Sequence, residues 1–399
     1  MWEAQININE VCEIRAKTTV YLGVGAIKKI SDICAALKSK GISKVIVITG
    51  KSSYIKSGAW DYTVKAFEEN NIEHILYTEI TPNPTVDQVD TATKMALEFG
   101  AQAVLAIGGG SPIDAAKSVA ILMEYKDKTA RDLYEYKFTP DKAAPIVAIN
   151  LTHGTGTEVD RFAVVSIPEK EYKPAIAYDC IYPLYSIDDP ALMTSLPAEQ
   201  TVYVSVDALN HVIEAATTTV ATPYSILLAQ ETVRLVAKYL PMAINNPKDL
   251  TARYYLLYAS LIAGVAFDNG MLHYTHALEH PLSAVKPDLA HGLGLALLVP
   301  AVVKQIYPAS SKVLADILSP IVSGLTGSPD EGDKAFNGLK DWLSSLGIKP
   351  GLKNIGFTES DVEKLTELSF NTPSLGMLLG LAPVEANKES VRAIYLNSL

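Results

Sequence analysis

The sequence predicts a doubly wound α/β domain over residues 1–188 and an all-helical domain over residues 189–399. The first half alternates short apolar runs with helix-length segments, a pattern typical of parallel strands that helices cover on both faces. In the second half, apolar residues recur every three or four positions, which indicates helices almost throughout. The length of 399 residues suits two domains.

The predicted strands and helices alternate up to the domain boundary. Strands are expected at residues 45–48, 74–77, 103–107 and 145–149, and a last strand is expected to end near Ile187. Helices are expected around residues 62–70 and, in the second half, over residues 206–217, 226–239, 252–268 and 359–368. Doubly wound sheets bind ligands at the carboxyl ends of their strands, so the turns after these strands are candidate sites.

The charge balance and the cysteines argue against several classes of protein. The formal net charge is −10, which opposes binding to nucleic acid or to an anionic membrane surface. The most apolar stretch, residues 292–303, is shorter than the roughly 18–20 residues that cross a bilayer. The three cysteines form no CxxC pair, which excludes a disulfide framework and a thiolate zinc site. We therefore expect a cytoplasmic protein that binds neither nucleic acid nor membranes.

A glycine-rich turn follows the third predicted strand. Gly108, Gly109 and Gly110 precede Ser111 and a helix that begins with Pro112. Glycines let the backbone approach a phosphate closely, and the free N–H groups at a helix N-terminus favour an anion. This turn therefore predicts a pyrophosphate-binding loop. A second turn of small residues, from Thr152 to Gly156, is a candidate for the opposite wall of the same crevice.

Histidines and carboxylates cluster in the helical half. Asp207 and His211 are four residues apart and share a helical face, on which Glu214 lies one turn further along. His276, His280 and His291 follow within 16 residues of one another, just after His273. Imidazole nitrogens and a carboxylate oxygen suit divalent iron or zinc. The spacing alone leaves undecided which of the histidines bind the metal.

With both segments identified, the chain resembles the iron-containing (group III) alcohol dehydrogenase family along nearly its whole length. The matching stretches are Pro82–Pro84, Gly108–Lys117, Thr152–Glu158, Asp188–Pro197, Val206–Glu214 and His276–Gly292. The resemblance implies a dehydroquinate-synthase-like fold, with a Rossmann-like nucleotide-binding domain and a helical metal-binding domain. It also implies NAD(P)-linked hydride transfer between a small primary alcohol and its aldehyde.

The resemblance also assigns expected roles to individual residues. The metal ligands fall on Asp207, His211, His276 and His291, and the catalytic proton relay falls on His280. The cofactor pyrophosphate is expected at Gly109, Gly110 and Ser111, with Asp114 near the nicotinamide. Further cofactor contacts are expected from Asn83, Thr152, Thr155 and Lys173.

The chain departs from the family pattern in the second turn. It has Leu151 where a threonine is common, His153 where alanine is usual, and Thr157 where serine is usual. Asp160 and Arg161 are also unusual. We predict that the substrate pocket is formed by residues in and near these departures, namely His153, Phe162 and Phe267.

The end of the first predicted strand bears on cofactor preference. An acidic residue there usually binds the adenosine ribose hydroxyls of NAD. This chain has Gly50, followed by Lys51 and Ser52, which leave room and donors for a 2′-phosphate. The sequence therefore predicts that NADP(H) is favoured over NAD(H).

Several alternatives stay open at this point. Fe²⁺ is the expected metal and Zn²⁺ is its rival, with the ion acting as a Lewis acid. A polyol dehydrogenase or a metal-dependent lyase would use the same fold. A metal hydrolase would leave the glycine loop without a function. The resemblance also implies a homodimer or a larger homo-oligomer.

Overall fold

The computed structural model of the chain describes residues 2–6 and 11–399. The strands in this part of the chain are β1 (Thr19–Leu22), β2 (Lys44–Thr49), β3 (Glu73–Tyr77), β4 (Ala103–Gly108), β5 (Ile146–Asn150), β6 (Phe162–Val164), β7 (Ala175–Ala177) and β8 (Tyr185–Asp188). Six of them form one parallel sheet in the order β1-β8-β5-β4-β2-β3. The remaining two, β6 and β7, form an antiparallel pair. The doubly wound sheet is as predicted.

Helices separate the strands of the first half and make up most of the second. Those of the first half are α1 (Lys29–Ser39), α2 (Ser53–Lys56), α3 (Ala59–Asn70), α4 (Val86–Phe99), α5 (Gly110–Glu124) and α6 (Ala130–Tyr134). Those of the second half are α7 (Ala198–Ala215), α8 (Pro223–Asn245), α9 (Leu250–Gly270), α10 (Tyr274–Val285), α11 (His291–Leu318), α12 (Gly332–Ser345), α13 (Val362–Asn371), α14 (Leu375–Gly380) and α15 (Lys388–Asn397).

The strand β1 and the β6–β7 pair were not expected from the sequence. Both are short, with three or four residues in each strand, and β1 lies at the edge of the sheet with its residues partly exposed. Such strands lack the continuous apolar run that identifies a central strand such as β4, every residue of which is buried.

The parallel register places the ends of the strands at one edge of the sheet. Gly108 pairs with Asn150, and Asn150 pairs with Asp188. The glycine loop after β4 and the Thr152 turn after β5 therefore begin side by side. The strand β8 ends at Asp188, and α7 begins at Ala198.

Three clusters of buried apolar side chains stabilise the described part of the chain. Two of them cover the faces of the parallel sheet, and the third fills the helical half. The helices α9 and α11 are long and apolar enough to cross a membrane, but the most apolar windows of these helices are 61% and 72% buried inside the protein. Both helices contribute to the core of the helical half.

Candidate active site

A cavity of about 1150 Å³ lies between the carboxyl edge of the sheet and the helical half. It is lined by every sequence-predicted site residue except one: Gly50, Lys51, Ser52, Asn83, Gly109, Gly110, Ser111, Asp114, Thr152, Thr155, Phe162, Lys173, Asp207, His211, Phe267, His276, His280 and His291. Residues that are as much as 241 positions apart in the chain therefore face one cleft. The exception is His153.

The glycine loop fits closely against the turn that follows β5. A Cβ atom at Gly109 would lie 2.8 Å from Thr152 Cγ2, and one at Gly110 would lie 2.8 Å from Thr155 Cγ2. Any larger residue would therefore separate the two turns. The hydroxyls of Thr152 and Thr155 are buried and have no hydrogen-bond partner within the described residues. These unpaired hydroxyls, beside the N-terminus of α5, fit a phosphate-bearing cofactor.

Asp114, which was expected near the nicotinamide, is held by protein donors. Its carboxylate accepts hydrogen bonds from Thr157 Oγ1 at 2.7 Å and from the Val164 N–H at 2.9 Å. Burial raises the pKa of Asp114, although nearby Lys117 opposes this. No role was expected for Lys117, because lysine side chains are almost never fully buried.

Lys117 is completely buried beneath the cofactor loop. Its ammonium group donates to Thr157 Oγ1, to both the carbonyl and the carboxylate of Asp160, and to the Phe162 carbonyl, all within 2.9 Å. The unusual Asp160 therefore supplies the counter-charge for a buried lysine. This ion pair joins α5 to the segment that leads into β6.

Asn83 makes a contact that the resemblance did not imply. Its amide donates to the carbonyl of Pro287 at 2.9 Å, and its φ of 53° is in the left-handed region that asparagine tolerates. The loop that it contacts directly precedes His291. Asn83 thus connects the sheet edge to the metal-binding half at the rim of the cleft.

The four predicted ligands cluster around the carboxylate of Asp207, and the ligand atoms of Asp207, His276 and His291 all lie within 4.8 Å of one another. The Nε2 atoms of three histidines surround Asp207 Oδ1 at 3.5 Å (His211), 3.6 Å (His276) and 3.8 Å (His291). Ligand atoms about 2.1 Å from a shared ion are separated by roughly 3.4 Å in tetrahedral geometry. Asp207 Oδ1 and His276 Nε2 are buried without a hydrogen bond within the described residues. The donor set and its unpaired atoms therefore fit a divalent metal ion.

Two of these imidazoles are oriented from behind by carboxylates. His276 Nδ1 donates to Glu214, and His291 Nδ1 donates to Glu279. Glu214 in turn accepts from the backbone N–H groups of His273 at 3.0 Å and of Thr275 at 2.8 Å. Carboxylates in this position fix the tautomer and the ring orientation of a metal ligand.

Neither carboxylate was expected to orient a ligand, although Glu214 was expected within the cluster. Glu214 is seven residues from Asp207 and shares its helical face, so it had to lie near the site. Glu279, by contrast, follows His276 by three residues but contacts His291, which lies in the next helix. No local spacing indicates that contact.

Burial and neighbouring charges shift the pKa values of several groups in the metal cluster. Burial alone would lower the pKa of His276, but Glu214 and Asp207 raise it to about 9. Burial alone would raise the pKa of Glu214, but His276 lowers it to about 2. Burial lowers the pKa of His211 to about 4. The cluster is therefore anionic enough to attract a cation, and a proton on His276 competes with that cation.

His280 does not converge on Asp207. Its Nδ1 donates to the carbonyl of Lys173 at 2.7 Å, which leaves Nε2 as the basic nitrogen. Burial and the Lys173 ammonium keep the pKa of His280 well below its usual value. This residue is therefore a neutral imidazole beside the metal ligands, with its ring centre 5.8 Å from that of His291.

Two of the three predicted substrate-pocket residues form an aromatic wall. The rings of Phe162 and Phe267 lie 5.4 Å apart, and Phe267 stacks on the metal-side ring of His211 at 4.5 Å. The wall therefore joins the β6–β7 pair to the metal cluster.

The prediction that His153 lines the pocket is wrong. His153 is fully buried and lies outside the cleft lining, where its Nε2 accepts from Arg253 at 2.8 Å and its Nδ1 donates to Ser205 at 3.2 Å. The turn directs Thr152 and Thr155 towards the cleft, so the intervening side chain points to the opposite side and packs between α7 and α9. Burial and the Arg253 charge lower the pKa of His153 to about 3.

Comparisons with known proteins agree with this geometry. A family profile described as iron-containing alcohol dehydrogenase matches residues 17–190, and its C-terminal counterpart matches residues 201–399. The chain is 60% identical to the long-chain primary alcohol dehydrogenase AdhA of Thermoanaerobacter ethanolicus, over 100% of both chains. It is 29% identical to the NADPH-dependent butanol dehydrogenase of Clostridium saccharobutylicum, over 94% of this chain and 95% of the relative.

A solved structure extends the similarity to three dimensions. The NADH-dependent butanol dehydrogenase A of Thermotoga maritima aligns with a TM-score of 0.85 at 30% identity, covering 97% of this chain and 98% of the other. The predicted fold and the predicted alcohol dehydrogenase activity are confirmed. The chain belongs to the iron-containing alcohol dehydrogenase family and is a metal-dependent, NAD(P)-linked alcohol oxidoreductase.

Proposed function

We propose that this enzyme interconverts long-chain primary alcohols and their aldehydes, with Fe²⁺ and NADP(H) as its cofactors. The observation that carries the proposal is one cleft that the glycine loop, the histidine cluster and the aromatic wall all face. Long alkyl chains are favoured because the relative with 60% identity is a long-chain primary alcohol dehydrogenase. The apolar side chains that line the cleft, among them Leu272 and Leu378, suit such a chain.

The metal would be held by Asp207, His211, His276 and His291. When bound, the two cofactors supply a Lewis acid for the alcohol or carbonyl oxygen and a carrier for the hydride. Iron is proposed over zinc because the family is the iron-containing one, whereas the ligand types suit both ions.

The protein itself would orient the substrate and move the proton. The ring of Phe267 covers His211, which excludes water from one side of the cluster. His280 is neutral and has a free Nε2, so it is suited to accept the hydroxyl proton during alcohol oxidation and to return it during aldehyde reduction. This assignment makes His280 the proposed general base.

The preference for NADP(H) is proposed from the residues after β2. Three residues, Gly50, Lys51 and Ser52, line the cleft. Both Lys51 and Ser52 are exposed, so a ligand in the cleft can reach them. No carboxylate stands among them to repel a 2′-phosphate. The similar proteins include both an NADPH-dependent and an NADH-dependent butanol dehydrogenase. The cofactor preference of this chain is therefore proposed from its own residues after β2.

Replacing Gly50 by Asp tests the cofactor preference. We expect NADPH binding to weaken by about tenfold or more relative to NADH binding, because the new carboxylate would face the 2′-phosphate. A Cβ at this position would lie 3.2 Å from the Ile80 carbonyl, so Gly50→Ala is the matched control for crowding. A higher kcat/KM with NADH than with NADPH in the unchanged enzyme contradicts the proposal.

One set of measurements tests the activity and the metal together. The protein is purified without oxygen, its bound metal is quantified, and aldehydes of increasing chain length are assayed with NADPH and NADH. We expect bound iron, stoichiometric oxidation of NADPH and a kcat/KM that rises with chain length. Zinc as the only bound metal overturns the iron proposal, and equal kcat/KM for short and long aldehydes overturns the long-chain proposal.

We also propose a homo-oligomer, a dimer or larger, that resides in the cytoplasm. The oligomer is supported by the resemblance to the family, and the location by the charge and cysteine content of the chain. Light scattering behind a size-exclusion column tests the first proposal, since a monomer mass contradicts it. Cell fractionation tests the second.

A further inference from the structure

We infer that Lys173 is a positioning residue of the metal centre, contributed to it by the nucleotide-binding half of the chain. The resemblance implied a cofactor contact for this lysine. Its surroundings instead connect it to two residues that act on the metal cluster. The inference rests on the ligand set proposed above.

The side chain of Lys173 is directed into the helical half. Lys173 lies in the connection between β6 and β7 and is only 5% exposed. Its Nζ is 3.3 Å from Glu279 Oε2 and 3.4 Å from His291 Nδ1. Glu279 is completely buried, and Lys173 is the cation paired with it in the described part of the chain.

Glu279 is the carboxylate that orients a proposed metal ligand. One of its oxygens, Oε2, receives both the Nδ1–H of His291 and the Lys173 ammonium, while Oε1 accepts from the hydroxyl of Ser283. A buried carboxylate needs such donors to keep one orientation. Without Lys173, Glu279 would have one donor fewer on the oxygen that holds His291.

The main chain of the same residue orients His280. The Lys173 carbonyl accepts from His280 Nδ1 at 2.7 Å, which selects the tautomer with a free Nε2. The side-chain contact with Glu279 and the main-chain contact with His280 are made to successive residues of α10. Lys173 therefore anchors the β6–β7 connection to α10, and the anchor aligns both a metal ligand and the proposed proton acceptor.

The carboxylate that orients the other histidine, Glu214, offers an internal comparison. Glu214 holds His276 and receives backbone N–H groups from its own half of the molecule. It has no lysine or arginine partner among the ion pairs of the described residues. Only the His291 side of the cluster thus depends on the nucleotide-binding half.

The test is a double-mutant cycle on metal affinity. Lys173→Met removes the ammonium and keeps most of the buried volume, and Glu279→Gln removes the carboxylate. The affinity for Zn²⁺ is measured by titrating the metal-free proteins against a fluorescent chelator. We expect Lys173→Met to weaken Zn²⁺ binding about tenfold, as is usual when a partner of a metal-binding histidine is lost. In the Glu279→Gln background the same change should have little further effect.

Two further measurements separate this role from the alternatives. Lys170→Met is the matched control, because Lys170 lies in the same connection but pairs with Glu135 at the surface. It should leave the affinity for Zn²⁺ unchanged. At saturating metal, Lys173→Met should lower kcat about tenfold and change the aldehyde KM little. The main-chain carbonyl that orients His280 is kept, but without the side-chain contact to Glu279 it is no longer held in place against α10.

The inference is overturned if Lys173→Met leaves the affinity for Zn²⁺ unchanged. It is also overturned if Lys173→Met lowers that affinity equally in the unchanged enzyme and in the Glu279→Gln variant. Weaker NADPH binding with intact metal binding returns Lys173 to the role of a cofactor contact. If Lys173→Met unfolds below the assay temperature, Lys173→Gln replaces it in the double-mutant cycle. Glutamine keeps an N–H donor but has no charge. An error in the proposed ligand set would give a different result, because a His276 variant would then keep its full metal content.

Discussion

His276 lies between two carboxylates that differ in function. Asp207 is 3.6 Å from its Nε2, on the side where the metal would bind, and Glu214 accepts its Nδ1–H from behind. We expect His276→Ala to lower metal affinity by about 100-fold or more, because even outer carboxylate partners account for 10–100-fold. Metal analysis and circular dichroism check this, and the fold should be retained.

His74 provides the control for this substitution. It lies on β3, packs against the rings of Trp60 and Phe67, and is remote from the cleft lining. His74→Ala should keep its metal and its activity. Full metal content and turnover in His276→Ala would show that the ligand assignment is wrong.

Substitution of His280 should affect the reaction rate, whereas substitution of His276 should affect metal binding. It is oriented by Lys173 and is neutral, so it suits proton transfer rather than metal binding. We expect His280→Ala to keep its metal and to lose about 100-fold in kcat, the usual contribution of a positioned acid or base. The pH–rate profile should lose the limb that depends on this imidazole. Metal loss equal to that of His276→Ala would instead identify His280 as a ligand.

At the scale of elements, the turn after β5 is compressed between the two halves. A Cβ atom at Gly154 would lie 2.3 Å from the Val204 carbonyl of α7, and Gly156, at φ +65°, contacts Gly264 of α9. On the cleft side, Thr152 and Thr155 touch the cofactor loop. The glycines thus let two helices reach the turn that shapes the cofactor site.

Gly264→Ala tests this close approach. Alanine usually stabilises a helix by about 1 kcal/mol relative to glycine. Here its Cβ would lie 2.6 Å from the Gly156 carbonyl, so we expect a loss of about 1–3 kcal/mol in the free energy of unfolding. Gly376→Ala is the control, since this exposed glycine of α14 has no neighbour within 4 Å of the added atom. Urea denaturation should give opposite signs for the two variants.

In the whole molecule, polar contacts join the two halves at several points, in addition to the aromatic contact between Phe162 and Phe267. They include Asn83 with the Pro287 carbonyl, Lys173 with Glu279, Arg161 with Asp268, and His153 with Arg253. Each contact has a partner that is wholly or partly buried, so the loss of one partner would leave an unsatisfied polar group. Among these groups the pKa values of His153, Asp268 and Glu279 are shifted by burial and by neighbouring charges, so these three groups link the stability of the enzyme to pH.

His153 gives that linkage a definite sign. Its pKa is about 3 in the folded protein and about 6.5 in an unfolded chain, so between these values the unfolded chain binds one more proton. The free energy of unfolding should thus be highest above pH 6.5 and fall as the pH decreases. The expected contribution is a loss of about 2 kcal/mol at pH 5.

His153→Gln isolates this term from the other titrating groups. Glutamine can still accept from Arg253 but does not titrate, so the variant should be less stable at pH 7 and lose less stability on acidification than the parent. Urea denaturation at several pH values measures the difference. Parallel pH profiles for parent and variant would contradict a neutral, buried His153.

The amino-acid sequence was sufficient to predict the central strands with their intervening helices, the cofactor loop and the pool of metal-binding side chains. Periodicity reports which face of an element is apolar, and glycine-rich turns after strands report where the backbone is open. For the same reason, the spacing of Asp207, His211 and Glu214 on one helix was readable as a cluster. The family resemblance added which histidines are its expected ligands.

Contacts between distant segments could not be predicted without the packed structure. Thr152 lines the cleft, whereas the next residue, His153, is buried against Arg253, which lies 100 residues away in the chain. Lys173 and Glu279 are 106 residues apart and have no common periodicity. Local patterns determine the direction of a side chain relative to its own element, whereas its partner depends on how the elements pack. The contacts that Glu214 and Glu279 make behind their histidines, and those of Lys173, depend on that packing.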